Sequence, residues 1–199
     1  MSEPLIEWAV AAGALEEESG DLHVVRPFDR GVLVAVIDGL GHGPDAAAAA
    51  STAAETLERH AGERVITLIE RCHESLRRTR GAVITLASLS ASGAMSWAGV
   101  GNVEATLLRA EPRDGRRRER VMLAGGVAGH QLPAIRASEH PIRPGDTLTL
   151  ATDGVRDGYL DLLAEYGRPD DVVGPILEQF GKGTDDALVL VARYLGAGA

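Results

Sequence analysis

Three short apolar runs, VLVAVI at 32–37, TLTLA at 147–151 and ALVLVA at 187–192, constrain this chain more than anything else in it. Val32 to Ile37 is uniformly apolar and rich in Val and Ile, the pattern of a central strand buried on both faces rather than one lying half in water. Each run meets an aspartate at one end. Asp38 follows the first and precedes Gly39, Asp153 follows TLTLAT and precedes Gly154, and Asp185 with Asp186 stands immediately ahead of the third. A fourth acid, Asp21, sits beside Gly20 just before LHVVR.

The rest of the chain supplies a frame for those runs. Leu5 to Ala12 and Leu22 to Arg26 read as strands separated by an acidic turn. Pro44 fits the first position of a helix behind a Gly43 cap, with Asp45 facing the positive end of the helix dipole. That helix is predicted over Ala46 to His60, stopped by Gly62. A second is predicted from Glu63 to Thr79, because Val65, Leu68, Ile69, Cys72 and Leu76 share one face. Cys72 on that stripe reads as a core thiol. Beyond Gly81 come short strands, Ala82–Leu89, Ala94–Ala98, Val103–Arg109, Arg120–Ala124 and Thr147–Ala151, then helices over Tyr159–Tyr166 and Asp170–Phe180 and a closing strand, Ala187–Tyr194. This order lacks the alternation of a doubly wound parallel sheet. It predicts one domain over 1–199, an α-β-β-α sandwich of two mainly antiparallel sheets flanked by helices.

Charge and composition narrow the function. A formal charge of -9 has the wrong sign for gripping nucleic acid through its phosphates. No apolar stretch approaches membrane-spanning length, the N-terminus has no basic region ahead of an apolar one, and Cys72 is the only cysteine. A soluble cytoplasmic protein, away from membranes, is the expectation.

If the strand ends gather at one edge, Asp21, Asp38, Asp153 and Asp185 repel one another unless their pKa values rise or a cation neutralises them. Carboxylates without His or Cys beside them favour a hard, oxygen-loving ion such as Mg²⁺ or Mn²⁺. Glycine after the aspartate would let a backbone carbonyl and solvent reach the ion. Asp-Gly is also a common turn dipeptide, and Asp114-Gly115 and Asp157-Gly158 read as ordinary turns.

Taken in order, VIDGLGHGPDAA, GVGNVEA, DTLTLATDGV and TDDALVLV resemble the successive signatures of the type 2C metal-dependent protein phosphatases, in the SpoIIE-like branch that includes small stressosome phosphatases. The resemblance runs from SGDLHVV at 19–25 to VLVAR at 189–193. It implies an α-β-β-α sandwich, a centre of two Mn²⁺ or Mg²⁺ ions, and hydrolysis of phosphoserine or phosphothreonine by a metal-bridging water. Phosphorylated regulatory proteins, the stressosome scaffold and antagonist proteins, are the substrates it implies. Carried over by position, Asp38 matches the bridging aspartate and Gly39 the residue offering a backbone carbonyl. Asp153 and Asp185 match the carboxylates that complete the other ion's shell. Asp21 matches the early acidic motif.

Two departures stand out. Gly20 occupies the position where eukaryotic members place a glutamate, which weakens the hold on a second ion. His42 stands four residues after Asp38, not two, so a local role at the turn competes with that of general acid. Arg116, Arg117 and Arg118 read as a solvated hairpin tip within EPRDGRRRER, with docking of substrate as the competing reading. At the level of function, the alternative to a phosphatase is a catalytically silent phosphoprotein-binding module on the same fold. A nucleotide cradle at GLGHG does not meet G-x-G-x-x-G, and a haloacid-dehalogenase D-x-D would need an acid at Leu40.

Overall fold

The computed structural model describes residues 4–113, 115–165 and 167–197. Strands β1 (Ile6–Gly13), β2 (Asp21–Phe28) and β3 (Gly31–Gly39) lead into helices α1 (Pro44–His60) and α2 (Val65–Ser75). Then follow β4 (Ala82–Ser90), β5 (Ala94–Val100), β6 (Glu104–Arg113), β7 (Arg116–Arg120), β8 (Leu123–Ala124), β9 (Ser138–Pro141) and β10 (Thr147–Ala151). A 3-10 turn (Tyr159–Asp161), α3 (Leu162–Glu165), α4 (Pro169–Phe180) and β11 (Ala187–Tyr194) complete the order. One sheet runs β1-β11-β10-β6-β7 and the other β2-β3-β4-β5-β8, with β9 on β5; every pairing is antiparallel except β5 with β8.

The uniformly apolar strands are the ones covered on both faces. Along β3, Leu33, Ala35 and Ile37 pack under α1 and α2, while Val32, Val34 and Val36 face the other sheet. Along β11, Leu188 and Leu190 meet that inter-sheet layer, and Val189 and Val191 lie under α4 with Val172 and Ile176. Period-two alternation sends successive side chains to opposite faces, so a strand in the middle of four layers is apolar at every position. The alanine run has a packing reason. Ala46, Ala49, Ala50 and Ala53 are fully buried against the sheet, and small side chains let α1 lie close upon it. The sandwich predicted from the element order is the architecture observed.

Some boundaries differ. α1 opens at Pro44 behind Gly43, at φ 75, as expected, but its last turn closes through Ala61 in right-handed geometry. Gly62 therefore supplies no left-handed stop. α2 is shorter than the predicted span, yet Val65, Leu68, Ile69, Cys72 and Leu76 are all buried. The predicted strand Arg120–Ala124 divides into β7 and β8. Arg116 to Arg118 open β7, the second strand of a hairpin with β6 in which Arg113 stands opposite Arg116 and Leu108 opposite Arg118; all three are exposed, as a solvated hairpin end would be, though main-chain pairing to β6 makes them part of an edge strand. The expected helix over Tyr159–Tyr166 is a 3-10 turn followed by α3, and Tyr166 lies outside the described residues. Asp157-Gly158 is a turn, with Gly158 at φ 102, while Asp114 of the other expected turn lies outside the described residues.

Candidate active site

The antiparallel register of β2 on β3 sets Asp21 directly opposite Asp38, and side chains so paired stand about 5 Å apart at Cβ. From the other sheet, β10 ends at Ala151 and delivers Thr152 and Asp153, and the turn into β11 delivers Asp185 and Asp186. All five acids share one rim of the sandwich. Burial does most to push Asp38 up to about 8, with Asp21, Asp153, Asp185 and Asp186 adding repulsion. Asp21 rises to about 7, again chiefly by burial, although a hydrogen bond from Thr152 favours its ionised form. Among the described residues, none of the five forms an ion pair with Arg, Lys or His.

Hydrogen bonds stitch the two sheets at this rim. Thr152 Oγ1 donates to Asp21 Oδ2 at 2.7 Å, and Leu188 N–H donates to Thr152 Oγ1 at 2.9 Å. The two members of the Asp185-Asp186 pair do different work. Asp186, 4% exposed, accepts from Gly20 N–H at 2.6 Å and Leu15 N–H at 2.7 Å, so it fastens the loop ahead of β2 onto β11. Asp185 stays exposed at the cleft, one of its oxygens accepting from Asp186 N–H. The chain continues from Gly20, whose carbonyl accepts from Gly39 N–H at 2.9 Å. Gly39 and Gly154 serve close packing. A Cβ on Gly39 would lie 2.2 Å from the Ala46 carbonyl oxygen, and one on Gly154 would lie 1.9 Å from that of Asp186. Close approach of main chain at the Cβ position is thus a reason for glycine at both places.

Asp38, Asp153 and Asp185 open onto a cleft of about 720 Å³, and Asn102 anchors Asp153 by donating to its Oδ2 at 2.8 Å. A second depression of about 490 Å³ lies beyond Asn102 and Asp153 and includes Lys182. His42 is at the lip of the cleft, exposed, with Nδ1 2.8 Å from Glu16 Oε1, which leaves Nε2 for any proton transfer. The GLGHG loop thus faces carboxylates, the reverse of a phosphate cradle. Arg116 to Arg118 are remote from this rim. Arg118 pairs with Leu108, itself opposite Thr147, six residues before Asp153 and so roughly 20 Å along the strand. Its guanidinium pairs with Asp161 at 2.6 Å.

Sequence reasoning placed Asp21, Asp38, Asp153 and Asp185 together and missed Asn102, Thr152 and the separate task of Asp186. The signals were present, in GVGNV, in the Thr before Asp153 and in a doubled aspartate of which one had to be structural. The rim also falls short of one expectation. Among the described residues, no three His, Cys, Asp or Glu side chains are gathered into a group that could hold a metal ion. The acids line an edge rather than forming a single tight group. The donor chemistry nonetheless suits a hard divalent cation: the unpaired groups are all oxygen, and Asp21 and Asp38 are driven toward neutrality.

Comparison with known proteins bears on this rim. The family model for stage II sporulation protein E (SpoIIE) matches residues 29–195. The phosphoserine phosphatase RsbX of Bacillus subtilis (strain 168) is 31% identical over 85 residues, covering 42% of this chain and 43% of RsbX, less than half its length. A chain solved in work on the bacterial stressosome, as a modular system adapted to control secondary messenger signalling, superposes with a TM-score of 0.87 at 31% identity, covering 94% of this chain and 99% of its own. RsbX in complex with magnesium superposes with a TM-score of 0.85 over 98% of both chains, and at 20% identity the likeness is one of fold.

Proposed function

Since the chain belongs to the SpoIIE family of PP2C-type phosphatase domains, we propose that it is, as one domain over 1–199, a Mn²⁺- or Mg²⁺-dependent protein-serine/threonine phosphatase. The observation that carries the reading is the register that sets Asp21 against Asp38 at the rim where Asp153 and Asp185 flank the second sheet, with no basic side chain paired to any of them among the described residues. Asp21, Asp38, Asp153 and Asp185, with the Gly39 carbonyl, would hold two divalent ions. Such ions supply Lewis-acid charge and a bound water acidic enough to ionise near neutral pH.

The chain's own residues do the rest. Thr152 and Asn102 fix the carboxylates of Asp21 and Asp153, Asp186 holds the Gly20 end of β2 against β11, and the cleft admits the phosphorylated side chain. His42, steadied by Glu16, is the imidazole at the lip able to protonate a leaving alkoxide. No covalent enzyme intermediate is called for. Burial pushes the Cys72 thiol up to about 12, so it stays protonated in the core and cannot serve as nucleophile.

The substrates are phosphorylated regulatory proteins of the stressosome scaffold and antagonist class, in the cytoplasm. Support comes from the RsbX match and from the stressosome relative that aligns along nearly the whole chain. No helix among the described residues is long and apolar enough to cross a membrane. Arg116 to Arg118 are kept as a docking strand for substrate outside the cleft, not as part of the chemistry.

The test is dephosphorylation of a phosphoserine protein with and without Mn²⁺, comparing the wild type with Asp38→Asn and Asp153→Asn. Turnover should require the ion and be largely lost in both variants while each stays folded. The competing reading is a silent phosphoprotein-binding module on the same fold. Binding that resists EDTA and yields no turnover would select it.

A further inference from the structure

One wall of the cleft, Gly125 to Val127, belongs to a loop between β8 and β9 that takes no part in the strand ladders. Its backbone is nevertheless held at several points. Ala128 exchanges both hydrogen bonds with Ala82, at 3.1 and 2.9 Å, and Val127 N–H donates to Gln131 O at 2.9 Å. Ala128 is fully buried in the layer beneath α1 and α2. The next residue, Gly129, lies at φ 97 directly on the end of α2, where a Cβ would be 2.8 Å from the Leu76 carbonyl oxygen.

There the Gly129 N–H donates to Nδ1 of His73, in the last turn of α2, at 3.0 Å. In this contact Nδ1 is the acceptor, which leaves Nε2 as the ring nitrogen facing away from Gly129. Gly129 is buried and this is the partner its N–H has; without His73 the donor would face the end of α2 unpaired. A second imidazole ties the same loop nearby, since His130 Nε2 lies 2.8 Å from the Arg80 carbonyl oxygen. The Arg80 guanidinium in turn reaches Asp45 in the first turn of α1 at 3.0 Å. The wall is thus fastened to the helical layer, and among the described residues His73 makes its side-chain hydrogen bond to α2.

We propose that His73 is a positioning residue, which by accepting the Gly129 N–H sets where the Gly125–Val127 wall stands and hence how the cleft receives a phosphoprotein. The proposal rests on the phosphatase reading for its kinetic consequence. It touches none of the rim carboxylates, so it concerns substrate fit and leaves ion binding alone.

The experiment compares the wild type, His73→Leu, which removes the acceptor, and His73→Asn, whose side-chain oxygen can replace it. Losing one hydrogen bond's worth of wall placement should raise KM for a phosphoserine protein ~5-fold, with kcat and Mn²⁺ affinity within ~2-fold of wild type. In the same His73→Leu protein, amide exchange at Gly129 should speed up while exchange in β3 and β11 stays unchanged. His73→Asn should restore both KM and Gly129 protection. Unchanged Gly129 exchange in His73→Leu, an equal fall in kcat and Mn²⁺ affinity, or failure of His73→Asn to restore either readout would each overturn the proposal. Should His73→Leu not fold, His73→Ser removes the reach without adding apolar bulk and carries the same comparison. If the wild type shows no turnover, the phosphatase reading falls, whereas Gly129 exchange across the variants still decides whether His73 holds the wall.

Discussion

Substituting Asp38 by Asn should make the metal-free protein more stable at pH 8 while abolishing most of its activity. With folded-state values of about 8 for Asp38 and about 7 for Asp21, against a reference of 3.8, both carboxyls are protonated in the folded protein and ionised in the unfolded chain near pH 5.5. The folded state then binds about two more protons than the unfolded one, so stability falls with rising pH by up to ~3 kcal/mol per pH unit. The contribution of this pair is complete below about pH 3.8 and is gone once the pH passes 8. For a chain of this size a change of that order corresponds to a Tm drop of roughly 5–10 °C per pH unit at the steepest point. Removing the charge at residue 38 should roughly halve the slope, since one of the two protons no longer titrates.

The assay is differential scanning calorimetry in EDTA from pH 5 to pH 8, repeated in saturating Mn²⁺. The reading of the wild type against Asp38→Asn isolates this site from every other titrating group. Bound ions replace the missing protons, so Mn²⁺ should raise Tm most at the alkaline end. A wild-type Tm that is flat or climbs over this window in EDTA would refute the reasoning, as would an Asp38→Asn protein that melts below wild type at pH 8.

Two further outcomes follow from packing. Gly154→Ala drives a methyl into the Asp186 carbonyl oxygen, now 1.9 Å from the ideal Cβ site, and should cost about 1–3 kcal/mol together with most of the turnover, checked by urea melts and the phosphatase assay. At the other end of the sandwich, Arg109 is buried and donates to Asp146, Glu119 and the Pro141 carbonyl. Arg109→Ala strands a buried carboxylate and should cost about 3–5 kcal/mol in the same melts while Mn²⁺ affinity is unaltered.

Much of the architecture could be read from residues alone wherever burial on two faces writes itself into composition. β3 and β11 are apolar at almost every position because layers cover them on both sides, and the α2 stripe is fully buried as its spacing predicts. Gly43-Pro44 marked the start of α1 because a proline's missing N–H costs nothing there. What stayed hidden was set by neighbours distant in sequence. β9, with the sequence SEHP, is polar and alternately exposed and forms only because β5 offers it an edge. The arginines of β7 are exposed as a solvated hairpin end should be, but that they also continue as an edge strand is decided by β6. Asp185 and Asp186 are chemically identical, and only the fold turns one toward solvent and the other onto two main-chain amides. Likewise the glycines after Asp38 and Asp153 carried a legible signal, but its cause was crowding by Ala46 and Asp186, which no local pattern displays.

The Asp186 clasp has a consequence for the order in which a nascent chain can mature. It joins residues separated by 171 and 166 positions, and β11 lies between β1 and β10, so the first strand has no hydrogen-bonded neighbour in its sheet until the last one has been synthesised. The sheet of β2 to β5 can assemble while translation continues, whereas the reactive rim is finished only after β11 has cleared the ribosome. A polypeptide of this design acquires its chemistry all at once and late, and until then β1 waits without a partner and β10, paired on one side with β6, keeps an open edge, the stage at which a chaperone would matter most.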